Sequence, residues 1–453
     1  MGRLFGTNGV RGVANKELTI ELVTRLSASC GHVLGKNIAL GRDGRVTSPL
    51  FGYAAVSGLQ SIGCIVHDLG FLPTPALQYA VKHLGLDGGL MITASHNPPE
   101  FNGVKVMAKD GVEIPRHLED EIEKIYFAGG PKAAEWDHVG EVRHRDAIDL
   151  YVDAVISKVD VTLIKSKKLK IAIDPGNGVG TLVAPTIAQL LGCRVYTVNA
   201  ELDGRSPWRE SEPRPDNLGS LKGLVKATGA DIGIAFDGDA DRSIFLDEKG
   251  EVLWGDRSFA IVAKDYMAKH HGASVVTPVS SSNTIVDVVK NAGGSIHWTR
   301  VGSVDVSRAM VENGIEFGGE ENGGVMYGPH LAVRDGSMTM ALILGIMVER
   351  GEPLSRLVAE LTAYAQVKDK VRCPNELKQK VLEELRTKVV APRVDTMDGL
   401  KLVFTDDSWI LIRPSGTEPL FRLYAEANSH LKVDKLVSEN KRLIEETVKT
   451  LSA

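Results

Sequence analysis

The sequence has few cysteines and no long apolar run, and each absence excludes a class of protein. Its four cysteines, Cys30, Cys64, Cys193 and Cys373, lie far apart with no Cys-x-x-Cys pair. This spacing excludes a disulfide scaffold and predicts buried free thiols in a reducing compartment. No window reaches the roughly 18 uncharged apolar residues that a membrane span requires. The first residues also form no apolar signal segment, so we expect a cytoplasmic protein.

An excess of charge of one sign is also missing. The chain has 53 basic and 58 acidic side chains, for a formal net charge of -5. This balance excludes a general nucleic-acid surface, so any site for an anion has to be built locally. Hydrophobic residues make up 43% and charged residues 25% of the chain, which is usual for globular proteins. Its 453 residues exceed what one hydrophobic core supports and predict several domains.

Helical and strand patterns alternate along most of the chain. Apolar positions recur at helical spacing from Leu18 to Leu34, and a short strand from Asn37 to Leu40 follows. This alternation predicts mixed, largely parallel sheets covered by helices. Near the end the pattern changes to a helix, two strands and a long terminal helix. We predict an α/β protein with three related α/β domains and a smaller C-terminal α+β domain, with limits at 1–150, 151–250, 251–364 and 365–453.

A polar turn follows an apolar strand in the first domain. The predicted strand at 89–92 leads into a turn at 93–98, where Asn97-Pro98 ends regular structure. We expect the backbone of this turn to hold Ser95 in place and to leave it exposed. Taken alone, the segment is also typical of an ordinary turn after a strand.

Several basic residues lie in the same domain. Lys105 is on the strand that leaves the turn, so its side chain can reach the same site as Ser95. Arg11, and Arg42 together with Arg45, add further positive charge to this domain. Judged singly, each of these four basic residues is typical of the protein surface.

Three carboxylates follow a strand of the second domain. The predicted strand at 232–236 ends at Asp237-Gly238-Asp239-Ala240-Asp241-Arg242. Hard oxygen ligands at this density favour Mg²⁺ or Ca²⁺. Glu248 stands at the twelfth position of a calcium EF-hand, but Arg242 replaces the glycine required at the sixth, and strands rather than helices flank the loop. We therefore predict a Mg²⁺ site, with a solvated acidic turn as the alternative.

Two later loops carry groups that suit a polar ligand. The glycine-rich loop at 318–324 contains Glu320 and Asn322, whose donors and acceptors suit hydroxyl groups. The segment Arg413-Pro414-Ser415-Gly416-Thr417 offers a guanidinium, two hydroxyls and backbone amides, which predicts an anion cradle, with a plain hairpin turn as the alternative. The glycine-rich turn at 175–180 does not fit the dinucleotide fingerprint, so we predict no nucleotide site there.

Because open α/β sheets bind ligands at the carboxyl ends of their strands, we expect the loops after the strands of the three α/β domains to face one cleft. The motifs in these loops, in this order, resemble those of the α-D-phosphohexomutases. The segments that carry the resemblance are Phe5-Gly6-Thr7-Asn8-Gly9-Val10-Arg11-Gly12, Thr93-Ala94-Ser95-His96-Asn97-Pro98, the aspartate loop at 237–242, Gly319-Glu320-Glu321-Asn322-Gly323 and Arg413-Pro414-Ser415-Gly416-Thr417-Glu418-Pro419. The resemblance covers essentially the whole chain and implies four domains around a central cleft.

The resemblance also implies a role for each motif. Ser95 would be a phosphoserine and would hold one Mg²⁺ together with Asp237, Asp239 and Asp241. Proton transfer and charge neutralisation beside it are expected from three basic residues, His96, Lys105 and Arg11. The expected substrate-binding residues are Arg242, Glu320, Asn322, Arg413, Ser415, Gly416, Thr417 and Arg422. The implied reaction interconverts hexose 6-phosphate and hexose 1-phosphate through a hexose 1,6-bisphosphate.

The sugar loop departs from the family pattern, which commonly reads Gly-Glu-x-Ser-Gly-His. Asn322 stands where the serine would be and Gly324 where the histidine would be, so a histidine contact is missing and the sugar is not fixed. His330 is a candidate to supply that contact. Glucosamine, mannose and glucose phosphates all remain open as substrates.

Two other functions use the same residues. A metal-dependent sugar-phosphate phosphatase would transfer the phosphoryl group to water, although it has no need for a second phosphate cradle. A non-catalytic binding protein would hold the sugar phosphate or metal without turnover. The expected partner is a small sugar phosphate, with neither nucleic acid nor membrane, and self-association as a homodimer is left open.

Overall fold

The computed structural model describes residues 4–416 and 418–452, which form four β-sheets with their helices. Three sheets mix parallel and antiparallel pairing, and the fourth is antiparallel throughout. The predicted fold class is therefore confirmed. Thr417, one of the predicted binding residues, lies outside the described residues.

The first sheet has six strands in the order β1-β5-β4-β2-β3-β6. The strands are β1 (Val10–Val13), β2 (Asn37–Arg42), β3 (Ile65–Phe71), β4 (Gly88–Ile92), β5 (Phe101–Ala108) and β6 (Val142–His144). The helices are α1 (Ile20–Leu34), α2 (Ser48–Ser61), α3 (Thr74–His83) and α4 (Arg116–Phe127). Thr19 caps α1 by accepting a hydrogen bond from the backbone N–H of Leu22, as expected of a threonine at this position.

The second sheet has five strands in the order β11-β10-β9-β7-β8. Its strands are β7 (Lys170–Asp174), β8 (Arg194–Thr197), β9 (Ile232–Phe236), β10 (Ser243–Leu246) and β11 (Val252–Leu253). The helices in this part of the chain are α5 (Ile148–Ile156), α6 (Val161–Lys167), α7 (Ala184–Leu190) and α8 (Gly219–Thr228), with a 3-10 turn at Val179–Leu182. The domain limits stay a prediction, and β11, which follows the predicted limit at residue 250, pairs with β10 in this sheet.

The third sheet has five strands in the order β13-β12-β14-β15-β16. Its strands are β12 (Ser274–Pro278), β13 (Ser295–Thr299), β14 (Phe317–Gly319), β15 (Val325–Tyr327) and β16 (Leu331–Arg334). The helices are α9 (Gly255–Lys269), α10 (Asn283–Asn291), α11 (Ser303–Asn313), α12 (Gly336–Arg350) and α13 (Leu354–Ala359). Asp335 caps α12 through Met338 N–H, so the chain passes directly from β16 into this long helix.

The fourth sheet has the order β17-β21-β20-β19-β18 and is packed against two helices. Its strands are β17 (Ala365–Arg372), β18 (Arg393–Asp395), β19 (Leu400–Val403), β20 (Trp409–Pro414) and β21 (Leu420–Ala427). The helices are α14 (Lys378–Lys388) and α15 (His430–Ser452), with a 3-10 turn at Asn375–Leu377. The short connection between β20 and β21 carries the predicted phosphate cradle.

The hydrophobic core is divided unevenly. One continuous cluster joins side chains of the first three sheets, for example Ala39, Ile171 and Phe317. The fourth sheet has a cluster of its own around Phe421, and a small cluster containing Val279 and Trp409 joins it to the third. The first three sheets are thus packed as one body, which fixes the loops at their edges relative to one another.

Polar contacts supplement this packing. Asn8 donates to Ser303 Oγ at 2.9 Å, Arg308 lies 2.7 Å from Asp110, and Arg116 lies 3.2 Å from Asp305, so polar contacts join the first and third domains. All four cysteines are buried and free, as predicted. Among helices within 4–416 and 418–452, none combines the length and apolar character needed to cross a bilayer.

Candidate active site

Ser95 lies directly after β4, in a strained and buried turn. Its φ angle of 52° is in the left-handed region, which costs energy for a residue with a side chain. The predicted exposure is wrong, because only 1% of Ser95 is accessible. Its hydroxyl donates to Asp237 Oδ2 at 3.0 Å and lies 3.3 Å from His96 Nδ1. The serine of the first domain therefore touches the aspartate loop of the second.

The turn is held from behind by Arg45. Its guanidinium donates to the carbonyl oxygens of Ser95 and Asn97, at 2.8 and 2.7 Å, and also to those of Pro98 and Phe101. Asp43 orients Arg45 and also accepts from Thr93 Oγ1, which in turn accepts from Ser95 N–H at 2.8 Å. These fixed bonds offset the strain at Ser95.

Two arginines of the first domain that were predicted to lie at the surface are buried instead. Arg42 and Arg45 are buried because each finds a carboxylate, Asp68 for Arg42 and Asp43 for Arg45. Arg42 lies away from the turn in its own ion pair. Arg45, by contrast, is a structural part of the serine loop.

The three aspartates after β9 form one compact group. Their side-chain oxygens lie within 4.8 Å of one another, and all three residues are buried. Ala240 in the same loop has a φ angle of 57°, which curls the backbone tightly. The loop is therefore shaped to bring Asp237, Asp239 and Asp241 together rather than to spread them in solvent.

Lys105 projects from β5 into this group. Its Nζ lies 2.6 Å from Asp239 Oδ2 and 2.9 Å from Asp241 Oδ2. The surface interpretation of Lys105 is wrong, because the side chain is completely buried and is paired with two carboxylates. Thr74 Oγ1 also donates to Asp239 Oδ2, at the start of α3.

The aspartate group has the free oxygens that a metal requires. Asp239 Oδ1 and Asp241 Oδ1 are buried without a hydrogen-bond partner. A buried carboxylate oxygen without a partner carries a large desolvation cost, which a bound cation removes. The donor set is oxygen only, which is the chemistry of Mg²⁺. The residues present therefore fit a magnesium ion.

Three arginines add positive charge around the aspartates. Arg242 Nε donates to Asp237 Oδ2 at 3.0 Å, and Arg334 Nη2 donates to Asp241 Oδ2 at 2.5 Å. Arg11, on β1, donates to Ala94 O and Asn97 Oδ1 in the serine turn. Each of the three keeps one buried guanidinium N–H without a partner. Unpaired N–H groups of this kind suit the oxygens of a phosphoryl group.

Burial and charge shift the pKa values of these groups in different directions. Burial, reinforced by Asp241, raises the pKa of Asp237 to about 7. Burial also disfavours charge on Asp241, but Arg334, Lys105 and Arg242 outweigh it and hold the pKa of that carboxyl well below its usual range. Burial lowers the pKa of Arg11 to about 10. The surrounding charges therefore favour ionisation of Asp241 more strongly than that of Asp237.

The pKa values of two basic residues, His96 and Lys105, are shifted in opposite directions. Burial, together with the nearby Arg242 and Arg11, lowers the pKa of His96 well below its ordinary value, so its ring is neutral. Burial disfavours the charge of Lys105 as well, but Asp239 and Asp241 outweigh it and raise the pKa of the ammonium group. Lys105 is therefore suited to neutralise negative charge, whereas His96 offers an uncharged ring beside the serine hydroxyl.

The sugar loop follows β14 and faces the aspartate loop. Glu320 is buried, which raises its pKa to about 7, and it accepts from Arg334 Nη1 at 3.3 Å. Asn322 is half-buried, and its side-chain oxygen accepts from Gly324 N–H within the loop. Gly323 has a φ angle of 89° and would place a Cβ 2.5 Å from the carbonyl oxygen of Ser243, so only glycine fits there.

His330 is used elsewhere. Its ring stacks on Tyr79 with centroids 5.0 Å apart, packs edge-on against Tyr151 and lies 3.3 Å from Asp335 Oδ2. These partners tie the first and second parts of the chain to the start of α12. These contacts favour a packing role for His330, and its replacement of the loop histidine stays a prediction.

The phosphate cradle predicted in the fourth domain lies at the turn after β20. Arg413 pairs with Asp398 at 2.6 Å and also donates to Val301 O of the third domain. Ser415 is buried and Arg422 pairs with Glu418 at 2.6 Å, while a Cβ on Gly416 would meet open space. The turn belongs to the fourth sheet, whereas the aspartate group follows β9 of the second, so it forms a second polar region.

Sequence reasoning missed several residues of the site. Arg334 and Thr74 each donate to one of the three aspartates, and Lys378 donates to Ser415 O at 2.6 Å. A lysine or arginine outside a recognised motif has no pattern of its own. Only the position of Arg334 as the last residue of β16, at the carboxyl end of the strand, was a signal that could have drawn attention to it.

Known proteins resemble this chain along its whole length. Models of the phosphoglucomutase/phosphomannomutase domains match it in order: α/β/α domain I at 2–132, domain II at 149–250, domain III at 254–364 and the C-terminal domain at 370–443. The phosphoglucomutase/phosphomannomutase of Thermococcus kodakarensis is 41% identical over 457 residues, covering 99% of this chain and 100% of that protein.

Two further comparisons agree. The phosphoglucosamine/phosphogalactosamine mutase of Sulfurisphaera tokodaii is 44% identical, covering 98% of this chain and 100% of that protein. The crystal structure of a phosphoglucomutase/phosphomannomutase family protein from Burkholderia thailandensis superposes with a TM-score of 0.88 at 27% identity. It covers 98% of this chain and 97% of that chain.

Proposed function

Since this chain belongs to the phosphoglucomutase/phosphomannomutase family of α-D-phosphohexomutases, we propose that it interconverts hexose 6-phosphate and hexose 1-phosphate through a phosphoserine at Ser95. One contact carries the proposal most directly: Ser95 Oγ lies 3.0 Å from Asp237 Oδ2, at the edge of a buried group of three carboxylates. Phosphoryl transfer needs positioning and charge neutralisation, and this contact places the serine where both are available.

The reaction has two balanced halves. In the first, a hydroxyl oxygen of the sugar monophosphate forms a bond to phosphorus, and the bond between phosphorus and Ser95 Oγ breaks. The hydroxyl proton passes to a base, and the product is a hexose 1,6-bisphosphate. After the bisphosphate turns over, Ser95 Oγ attacks its other phosphoryl group, the bond from that phosphorus to the sugar oxygen breaks, and the sugar oxygen takes up the proton.

The residues around Ser95 divide this work. His96 is neutral and close to Ser95 Oγ, so it is placed to accept and return the proton. Lys105 carries a stable positive charge, and Arg11 and Arg242 offer N–H donors to the oxygens of the transferring group. Burial of the site keeps bulk water from taking the phosphoryl group.

Asp237, Asp239 and Asp241 would hold one Mg²⁺ together with the seryl phosphate. When bound, the ion supplies charge stabilisation for the phosphoryl oxygens in the transition state. The unpartnered oxygens of Asp239 and Asp241 support this assignment.

The turn in the fourth domain would bind the phosphate that is not reacting. Arg413, Ser415, Gly416 and Arg422 offer charge and backbone donors, and Gly416 leaves the space open. Glu320 and Asn322 would bind the sugar hydroxyls between the two phosphates. The bisphosphate intermediate has a phosphoryl group at each end of the sugar, and this explains why a second phosphate site is needed in addition to Ser95.

The first experiment looks for the phosphoserine. Mass spectrometry of the intact and digested protein should find one phosphate, and it should lie on Ser95. Ser95→Ala should lose nearly all mutase turnover, whereas Ser307→Ala, which removes a buried serine of α11, should keep it. A fully active Ser95→Ala protein would falsify the proposal.

The second experiment separates the mutase from a phosphatase. Conversion of hexose 1-phosphate to hexose 6-phosphate is measured in the same sample as free phosphate. A mutase converts the sugar phosphate with little release of free phosphate, and a phosphatase releases one phosphate for each sugar consumed. Binding without either product would indicate the non-catalytic alternative.

The preferred hexose phosphate is identified by comparing the rates of several candidate substrates. One relative is named for glucose and mannose phosphates and the other for amino-sugar phosphates, so both classes are candidates. We propose parallel assays with glucose 1-phosphate, mannose 1-phosphate and glucosamine 1-phosphate, each started with the matching bisphosphate. The ratio of kcat/KM among the three defines the substrate.

A further inference from the structure

Gly324 occupies a position with no room for a side chain. A Cβ built on it would lie 2.4 Å from Arg334 Cδ and 2.9 Å from Arg334 Cγ. The α-D-phosphohexomutases commonly carry a histidine at this position. In this chain the space beside Gly324 is filled by the side chain of Arg334, which arrives from the neighbouring strand β16.

The guanidinium of Arg334 lies between the aspartate loop and the sugar loop. Its Nη2 donates to Asp241 Oδ2 at 2.5 Å, and its Nη1 donates to Glu320 Oε2 at 3.3 Å. Its Nε is buried and has no partner. The side chain is 10% exposed, so the group is enclosed yet has one donor left.

We propose that Arg334 replaces the missing loop histidine: it supplies an N–H donor from β16 to the phosphoryl group that passes between Ser95 and the sugar. This proposal rests on the proposed mutase reaction. A guanidinium is planar and permanently charged, and the remaining Nε–H of Arg334 can donate to a phosphoryl oxygen, so it is suited to this position. The exchange also explains why position 324 is glycine, since any larger residue there displaces Arg334.

A purely structural role for Arg334 is the competing explanation, because its ion pair with Asp241 also stabilises the loop. Two variants separate the explanations. Arg334→Lys keeps a positive charge but loses the planar group, and Arg334→Ala opens a space that free guanidinium ion can enter. Arg42→Ala is the matched control, since Arg42 also has a side chain 10% exposed and a 2.5 Å ion pair, with Asp68.

The assay uses the full-length protein with Mg²⁺ and the fastest of the three hexose 1-phosphates. We expect Arg334→Ala to lose about 100-fold or more in kcat with little change in KM, as for loss of a transition-state donor. Added guanidinium chloride at millimolar concentration should restore about tenfold or more of that loss, whereas Arg334→Lys should remain impaired. Arg42→Ala should have lower stability, a kcat within about threefold of the parent and no response to guanidinium.

A double variant at positions 324 and 334, called the swap, gives an independent test. Gly324→His alone should be strongly impaired, because its side chain collides with Arg334. The double variant with Gly324→His and Arg334→Ala should be more active than Gly324→His, which is the reverse of additive losses. Circular dichroism melting confirms that each variant is folded, and Arg334→Gln replaces Arg334→Ala if the alanine variant does not fold.

Three results would overturn the inference: a kcat for folded Arg334→Ala within about threefold of the parent, a loss that guanidinium does not reverse, or additive losses in the swap. Each variant is also analysed for phosphate on Ser95. If the parent protein has neither mutase turnover nor phosphate on Ser95, the proposed function itself fails. If the parent is active and only the Arg334 results disagree, the failure is limited to this inference.

Discussion

Lys105 Nζ lies 2.6 Å from Asp239 Oδ2, and both side chains are closed off from solvent. The pair joins β5 of the first sheet to the loop after β9 of the second. Lys105 is directly opposite Met91 in the register of β4 and β5, so the hairpin that presents Ser95 also delivers this cation. The position of the serine and the charge of the aspartate group are therefore set by one structural unit.

Replacement of Lys105 should destabilise the protein, because two buried carboxylates lose their cationic partner. We expect Lys105→Met to lower the free energy of unfolding by about 3–5 kcal/mol in EDTA, because Asp239 and Asp241 lose a buried partner. Mg²⁺ should recover part of this loss, since the ion neutralises the same oxygens. Urea unfolding in EDTA and in Mg²⁺ measures both effects.

A matched control for that variant is Lys264→Met, which breaks an exposed 2.7 Å pair with Glu360. We expect it to change the free energy of unfolding by less than about 1 kcal/mol in either buffer. Equal losses for both lysine variants would contradict the role of burial.

Turnover should depend on a divalent cation held by the three aspartates. Chelation with EDTA should stop the mutase reaction, and added Mg²⁺ should restore it. Asp237→Asn should raise the Mg²⁺ concentration needed for half-maximal rate by about tenfold or more, because a charged ligand is lost. Isothermal titration of Mg²⁺ into the protein gives the same change without relying on activity.

Asp247→Asn serves as the control for the metal ligands. Asp247 is also buried, but its carboxylate accepts backbone N–H groups of Lys249 and Glu251 in the turn between β10 and β11. Its variant should keep the Mg²⁺ dependence of the parent. A similar shift in both variants would mean that Asp237 does not contact the ion.

The serine turn should weaken when its internal hydrogen bonds are removed. Thr93→Val loses the bond to Asp43 and leaves Ser95 N–H without its acceptor, so we expect a loss of about 1–3 kcal/mol in the free energy of unfolding. kcat should fall as well, because Ser95 is no longer held at its strained φ angle. Thr447→Val, at a buried position on α15, should lower stability to a smaller extent and leave kcat unchanged.

The fold and the chemical types of the site residues could be predicted from the sequence, but the contacts that support those residues could not. Hydrophobic periodicity located β9 and its neighbours, and clustered residue types identified Ser95 and Asp237, because both signals are local. Arg334 was not identified, and Arg45 was noted only as a positive charge, since their roles depend on which segments lie side by side. Burial was also misjudged for Lys105, because a lysine is normally exposed unless the fold supplies carboxylates for it.

A pH-dependent contribution to stability is expected from Asp256, at the start of α9. Burial raises its pKa from 3.8 to about 6, and its carboxylate accepts from Gln366 Nε2 at 3.0 Å. The folded state thus binds this proton more tightly than the unfolded chain. Its contribution to stability is complete below about pH 4 and is lost as pH rises through about 6, a change of up to about 3 kcal/mol.

The comparison with Asp256→Asn isolates that contribution, because the amide does not titrate. The difference in the free energy of unfolding, parent minus variant, should fall between pH 4 and pH 7. Urea midpoints at several pH values in this range measure the difference. A constant difference would show that the pKa of Asp256 is not raised in the folded protein.

The separate core of the fourth sheet has a consequence for how such enzymes change substrate. Ser95, the aspartates and Glu320 are mounted on the body shared by the first three sheets, whereas the Arg413 turn belongs to a sheet with its own packing around Phe421. An exchange of the fourth domain would therefore leave the large shared core intact and would change only the smaller contact around Val279 and Trp409. We expect a chimera that carries a relative's fourth domain, joined near residue 365, to bind the distal end of the substrate as that relative does. Its phosphoryl transfer at Ser95 should stay that of the parent.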